Sequence, residues 1–220
     1  MKQNQDYKNE SLAALKGNWA PAVLAGIVLY AVMGVVMGPY YGVSIASAFS
    51  GVTAHAIIPL YVGTLVLIYL VGWPLTVGYY NAQKVLLVNG DNRLIQNMFE
   101  IGFGNWLHYV WGSILMILYI ALWTLLLFIP GIIKSYSYAM TYYILVERPE
   151  LSANQAIDES RRLMIGHKFD LFYLDLSFIG WILLSMLTCG IGLLWVMPYW
   201  VTARAAFWED IKANDPAWQA

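Results

Sequence analysis

The sequence predicts an all-α protein, a polytopic transmembrane helix bundle. Six spans are expected, as three helical hairpins each preceded by a cytoplasmic amphipathic helix. Three observations carry this. Residues 17–83, 101–133 and 176–203 contain no Asp, Glu, Lys or Arg, and each run exceeds the roughly 20 apolar residues that cross a hydrocarbon core about 30 Å thick. The composition is 60% hydrophobic and only 11% charged, far from the roughly 25% charge of soluble domains. The third is an internal pattern, in which a partly charged segment leads three times through a glycine into an apolar hairpin. Residues 1–220 read as a single membrane domain, with pseudo-repeats at about 4–87, 91–148 and 152–210.

The first span is placed at residues 20–38, too long for the apolar core of a signal peptide, about 7–15 residues. Residues 39–56 read as a Gly/Ser/Tyr-rich loop in which Tyr40 and Tyr41 suit the headgroup level. The second span covers about 57–83. Trp73-Pro74 marks a kink there, because proline removes a helical hydrogen bond.

The later runs are longer than one span needs. Were each a single span, Lys134, Arg148, Arg161, Arg162 and Lys168 would fall on the side of the 39–56 loop, against the positive-inside rule. Breaking each run at its Gly/Pro sites removes the conflict. Pro130-Gly131 then turns 105–129 into 132–146, and the Cys189–Gly192 stretch turns 171–188 into 193–207. Both termini become cytoplasmic, and Lys134 is the one cation left near the outer face. The spacing supports the repeat: 104 to 131 is 27 positions and 166 to 192 is 26, with closing acids Glu147 and Glu209 a further 16 and 17 on.

The segments before each junction (Gly17, Gly104 and Gly166) read as amphipathic helices lying in the interface plane. Leu12 and Leu15, then Leu94, Ile95 and Met98, then Ile157, Leu163 and Met164 form their apolar faces. Ser152 with Gln155 has the capping-box pattern. A bracing collar is the first reading of these helices, and a docking surface for a protein partner the second.

Chemistry-bearing residues are few. Zinc-protease, nucleophile-elbow and phosphate-loop motifs are missing, and His55, His108 and His167 are scattered. No enzyme activity, cofactor or metal is therefore predicted. A net charge of −1 gives no basic surface for nucleic acid. Charges inside a membrane are costly and default to a functional hypothesis. Asp175 and Arg204 fall at similar depth on adjacent antiparallel spans, so an ion pair is expected. Lys134 can extend its ammonium toward lipid phosphate. Tyr138, Thr141 and Tyr142 share a helical face by three- and four-residue spacing. These six are the candidate intramembrane ligand residues. Cys189 is expected to be a packing residue.

The motifs together resemble an uncharacterised bacterial integral-membrane family, domain of unknown function 975. They are the Ile129–Ser137 stretch, Pro149-Glu150-Leu151-Ser152, residues 160–168, the Asp175–Trp181 stretch, Gly190-Ile191-Gly192, Pro198-Tyr199 and Leu15-Lys16-Gly17-Asn18-Trp19. That family is similar in architecture to the membrane portion of some glycerophosphodiester phosphodiesterases. The resemblance implies a bacterial cytoplasmic-membrane location and supplies no activity or catalytic residue. The expected function is non-catalytic, binding a lipid or small solute or organising the membrane. A small-solute or lipid transporter and an adaptor for a protein partner are the alternatives.

Overall fold

The computed structural model describes residues 1–50 and 54–219; residues 51–53 of the expected loop and the side chain of His55 lie outside what it describes. Every regular element among the described residues is helical. Four stretches are long and apolar enough to cross a membrane, namely Trp19–Ser47, Ile57–Asn89, Trp106–Leu126 and Lys168–Leu187.

Helix α1 (Asn4–Leu15) precedes α2 (Trp19–Ser50) and α3 (Ala54–Leu67). A wide π turn (Ile68–Gly72) joins α3 to α4 (Trp73–Asn89). The expected kink lies at this turn, just before Pro74, whose missing N–H leaves the Leu70 carbonyl free to accept from Trp106 Nε1. The expected loop from 39 is largely helical, since α2 continues through Pro39 to Ser50. Packing overrides the weak helix propensity there: Tyr40 lies 5.2 Å from the Tyr61 ring of α3.

Next come α5 (Leu94–Gly104), α6 (Trp106–Leu126), α7 (Phe128–Ser137) and α8 (Thr141–Glu147). The chain reverses at Leu127, whose backbone is extended, and not at Pro130-Gly131. Pro130 falls in the first turn of α7, where its missing N–H breaks nothing. Gly131 serves close packing instead: a Cβ there would meet Thr124 Oγ1 at 2.2 Å. Lys134 lies 4.5 Å from the Trp123 ring and Tyr138 lies 6.4 Å from Tyr119, so α7 runs back along α6.

The last elements are α9 (Ala153–Leu163), α10 (Lys168–Leu176), α11 (Ile179–Leu187), α12 (Leu193–Asn214) and a short α13 (Pro216–Gln219). Between α11 and α12 the chain turns where expected, with Cys189 and Gly190 both at positive φ. Gly192 packs on Ser185 as Gly131 packs on Thr124, again across seven residues. Cys189 itself is exposed, against its expected packing role, because it occupies the apex of this turn.

The helices before each junction glycine are braces. Tyr7 of α1 donates to Asp210 of α12 at 2.7 Å, and Ser11 donates to the Tyr199 carbonyl at 3.0 Å. Helices α4 and α5 approach through Gly78 and Gly102, where a Cβ at Gly78 would lie 2.0 Å from the Met98 carbonyl. In α9, Ser160 accepts from the Met140 N–H at 3.2 Å and donates to the Ser137 carbonyl at 3.0 Å. Each brace therefore packs on a helix of the preceding pair, and α1 closes the ring on α12. The expected α9 face is buried and its capping box forms. Leu12 and Ile95 are exposed, because α1 buries Tyr7, Ser11 and Leu15 and α5 buries Leu94, Asn97 and Met98. Helix α5 runs antiparallel along α4, with Gly102 against Pro74 and Met98 against Gly78, so it does not lie free in an interface plane.

Candidate functional site: a closed ion pair and an open cationic cleft

Two polar centres contain the six predicted residues. The first is closed. Asp175 at the end of α10 accepts from Arg204 Nη2 at 3.0 Å and from Trp200 Nε1 at 2.7 Å. The guanidinium also stacks 4.7 Å from the Trp200 ring. The expected pair thus forms, with side chains only 15% and 16% exposed. Sequence reasoning missed Trp200, although the four-residue step from Trp200 to Arg204 puts both on one helical face.

Aromatic rings close this centre. Tyr80 of α4 packs against Tyr142 at 5.7 Å, Tyr143 at 6.2 Å and Trp200 at 6.3 Å. Asn81 donates to the Val77 carbonyl at 2.9 Å and to the Tyr142 carbonyl at 3.0 Å, tying α4 to α8. Three buried atoms here have no hydrogen-bond partner in the structure: Arg204 Nε, Tyr143 OH and Thr141 Oγ1.

The second centre is open, a cleft of about 410 Å³. It is lined by Tyr119 and Trp123 from α6, Lys134 from α7, Tyr138 just beyond it, and Asn154, Ile157, Asp158 and Arg161 from α9. Tyr119 donates to Asn154 Oδ1 at 2.9 Å, fixing α9 against α6. Lys134 and Arg161 bring two cations to the cleft. The acid lining it, Asp158, makes a loose, exposed pair with Arg161 at 3.4 Å.

The predicted Tyr138–Thr141–Tyr142 face is split. Helix α7 ends at Ser137 and α8 starts at Thr141, with a turn between. Tyr138 walls the cleft, whereas the Tyr142 ring packs on Tyr80 and lies 6.3 Å from Trp73. Sequence reasoning separated Lys134 from Arg161 by the width of a membrane. The structure lines one cleft with both, because α9 folds back on α7 and α8 and carries Arg161 to Lys134.

An ion cluster gathers three helix ends. Glu147 at the end of α8 accepts from Lys84 of α4 at 2.7 Å, Lys212 of α12 at 3.0 Å and Trp208 Nε1 at 2.8 Å. Burial pushes the Glu147 carboxyl up, but Lys84, Trp208 and Lys212 together outweigh it and hold it below its ordinary value. Nearby, burial likewise raises Asp210, and the Lys2 N–H and Tyr7 hydroxyl outweigh it to lower the carboxyl. Arg162, one residue beyond Arg161, is bonded to Glu159 and Asp215, and its guanidinium is held protonated well above the usual range. Arg148 donates to the Trp218 carbonyl at 2.9 Å. Both chain termini and the ends of α4, α8 and α9 therefore lie together. Among the described residues His108 Nε2 is buried without a partner, and His167 meets Asp170 at 3.3 Å. Among the described residues no three His, Cys, Asp or Glu side chains converge.

The described residues form an all-helical chain with four membrane-length apolar helices and two polar centres. Residues 108–215 match the family described as Protein of unknown function (DUF975). No curated protein and no solved structure matches it.

Proposed function

We propose that this is a non-catalytic protein of the bacterial cytoplasmic membrane that binds phospholipid at the Lys134–Arg161 cleft. The observation that carries the reading is the convergence of those two cations with Trp123, Tyr119 and Tyr138 beside an apolar apex. Aromatic rings anchor at headgroup level, and Lys and Arg take phosphate oxygens through charge-assisted hydrogen bonds. Leu125, Leu126, Leu127, Phe128 and Ile129 are 67–83% exposed just beyond the cleft. Exposure of that size on consecutive residues needs an apolar cover, and acyl chains attached to a cleft-bound headgroup supply one.

The proposed topology has three helical pairs, each entering and leaving the membrane from the cytoplasmic face, with both termini there. The Lys84–Glu147–Lys212 cluster supports it. A single passage by Trp106–Leu126 would set Glu147 about 30 Å from Lys84, yet they touch. Arg161 neighbours Arg162, which is bonded beside the C-terminus, so the cleft belongs to the same face. The apex at Leu127 is seven residues from Lys134, about 10 Å at 1.5 Å per residue, so in this topology the apex is shallow and the longer α6 is tilted. A nitroxide at Leu127→Cys should report a depth within the cytoplasmic leaflet; a depth at the opposite headgroups contradicts this topology. The close packing of α1, α5 and α9 supports bracing over partner docking. Transport is the second reading, favoured by the unpartnered Arg204, Tyr143 and Thr141 atoms of the closed centre.

The test of binding is native mass spectrometry of protein extracted in native lipid discs. Wild type should retain phospholipid, and Lys134→Ala with Arg161→Ala should lose it while staying folded. Equal retention by both would sink the reading.

A further inference from the structure

The cleft holds more than phosphate ligands. Asp158 stands beside the two cations, with Asn154 and three aromatic rings completing the wall. We propose that the cleft selects a phosphodiester headgroup carrying a primary ammonium, over headgroups that are purely anionic or quaternary. This rests on the lipid-binding reading above and specifies its ligand.

The argument is one of exchange. Asp158 and Arg161 are three residues apart on α9, 65% and 53% exposed, and their 3.4 Å contact is long. Exposed pairs of this kind contribute little to stability, so Asp158 is available to a better partner. A phosphate that draws Arg161 and Lys134 to its oxygens leaves Asp158 without its cation. A primary ammonium two carbons from that phosphate meets the freed carboxylate, donating N–H hydrogen bonds that a trimethylated ammonium lacks. The aromatic faces add attraction for the cation: Lys134 already rests 4.5 Å from the Trp123 centroid, so this ring accepts an ammonium. The Asn154 side-chain oxygen, held by Tyr119 at 2.9 Å, is a further acceptor on the same wall. A glycerol headgroup gains none of the charge terms at Asp158.

The experiment uses the full chain in discs of defined, equimolar phosphatidylethanolamine, phosphatidylglycerol and phosphatidylcholine. Mass spectrometry reads the headgroup ratio of retained lipid. Wild type should favour phosphatidylethanolamine about tenfold, the scale of one charge-assisted hydrogen bond. Asp158→Asn should abolish that preference, and Asp158→Glu should keep it. An unchanged ratio in Asp158→Asn overturns the proposal. Retained lipid with no headgroup preference in wild type overturns it too, while leaving the lipid-binding reading intact. No retained lipid in wild type removes the lipid-binding reading itself. Soluble glycerophosphoethanolamine is added in a separate arm. Displacement of the lipid at micromolar concentration would assign the site to the free phosphodiester, and no displacement assigns it to the lipid.

Discussion

The closed and open centres use similar residues to opposite ends. Each sets a cation against an aromatic ring and near an acid: Arg204, Trp200 and Asp175 in one, Lys134, Trp123 and Asp158 in the other. In the closed centre the acid accepts from both the cation and the indole, and both charged side chains are largely covered. In the open centre a second cation is present, the acid is loosely held, and the wall faces outward. Charge that is neutralised and covered holds helices together, whereas the charge of the open centre is in excess at an apolar edge.

Breaking the closed centre should have the largest effect. Arg204→Ala leaves Asp175 uncompensated in a covered site, a loss of about 3–5 kcal/mol for an interior pair. Thermal unfolding in detergent should show it as a large fall in the midpoint or a loss of folded protein. Reversal at both positions sharpens the point. If Asp175→Arg with Arg204→Asp recovers none of the loss caused by either alone, pairing is not what the centre supplies.

Glu147 comes next. Glu147→Gln keeps the shape and removes the charge shared by Lys84 and Lys212, at a cost of about 1.5–3 kcal/mol for charge-assisted bonds. Its carboxyl is depressed in the fold, so the stability it adds is present above its ordinary value of 4.5 and is lost as pH falls through the lower folded value. Acid unfolding followed by tryptophan fluorescence should therefore show a steep loss below that pH in wild type and a flatter one in Glu147→Gln. Parallel curves would mean that the cluster does not join the three helices.

The smallest effect on stability is expected in the open centre. Lys134→Ala should shift unfolding by no more than about 0.5 kcal/mol, as for surface changes away from packed features. A destabilisation as large as that of Arg204→Ala would make the cleft a structural brace and erase the distinction between the two centres.

The two centres were unequally legible in the sequence. Asp175 and Arg204 each interrupt an apolar stretch, and counting residues from the junction and the closing acid put them at one depth. The cost of a lone charge in hydrocarbon then demanded a pair. Lys134 was visible for the same reason. Arg161 was not, because it sits among other charges on α9, and only the folding of α9 back onto α7 and α8 brings it to Lys134. The Lys84–Glu147–Lys212 cluster was hidden likewise, since its members are 63 and 65 residues apart. The chain reversal was misplaced by the strongest local signal: Pro130-Gly131 reads as a turn, yet both residues fit the first turns of α7, proline without loss and glycine for contact with Thr124. Loop-like residues after Pro39 were misread because contacts such as Tyr40 on Tyr61 outweigh propensity.

The claim that the open cleft is a lipid site can be tested inside intact membranes. A photoreactive phenylalanine analogue in place of Trp123 faces the cleft directly. On illumination it should form a phospholipid adduct, detected by mass, that falls at least severalfold when Lys134→Ala and Arg161→Ala are combined with it. An adduct of equal yield in both would mean that Trp123 touches only bulk lipid, and the cleft would hold nothing.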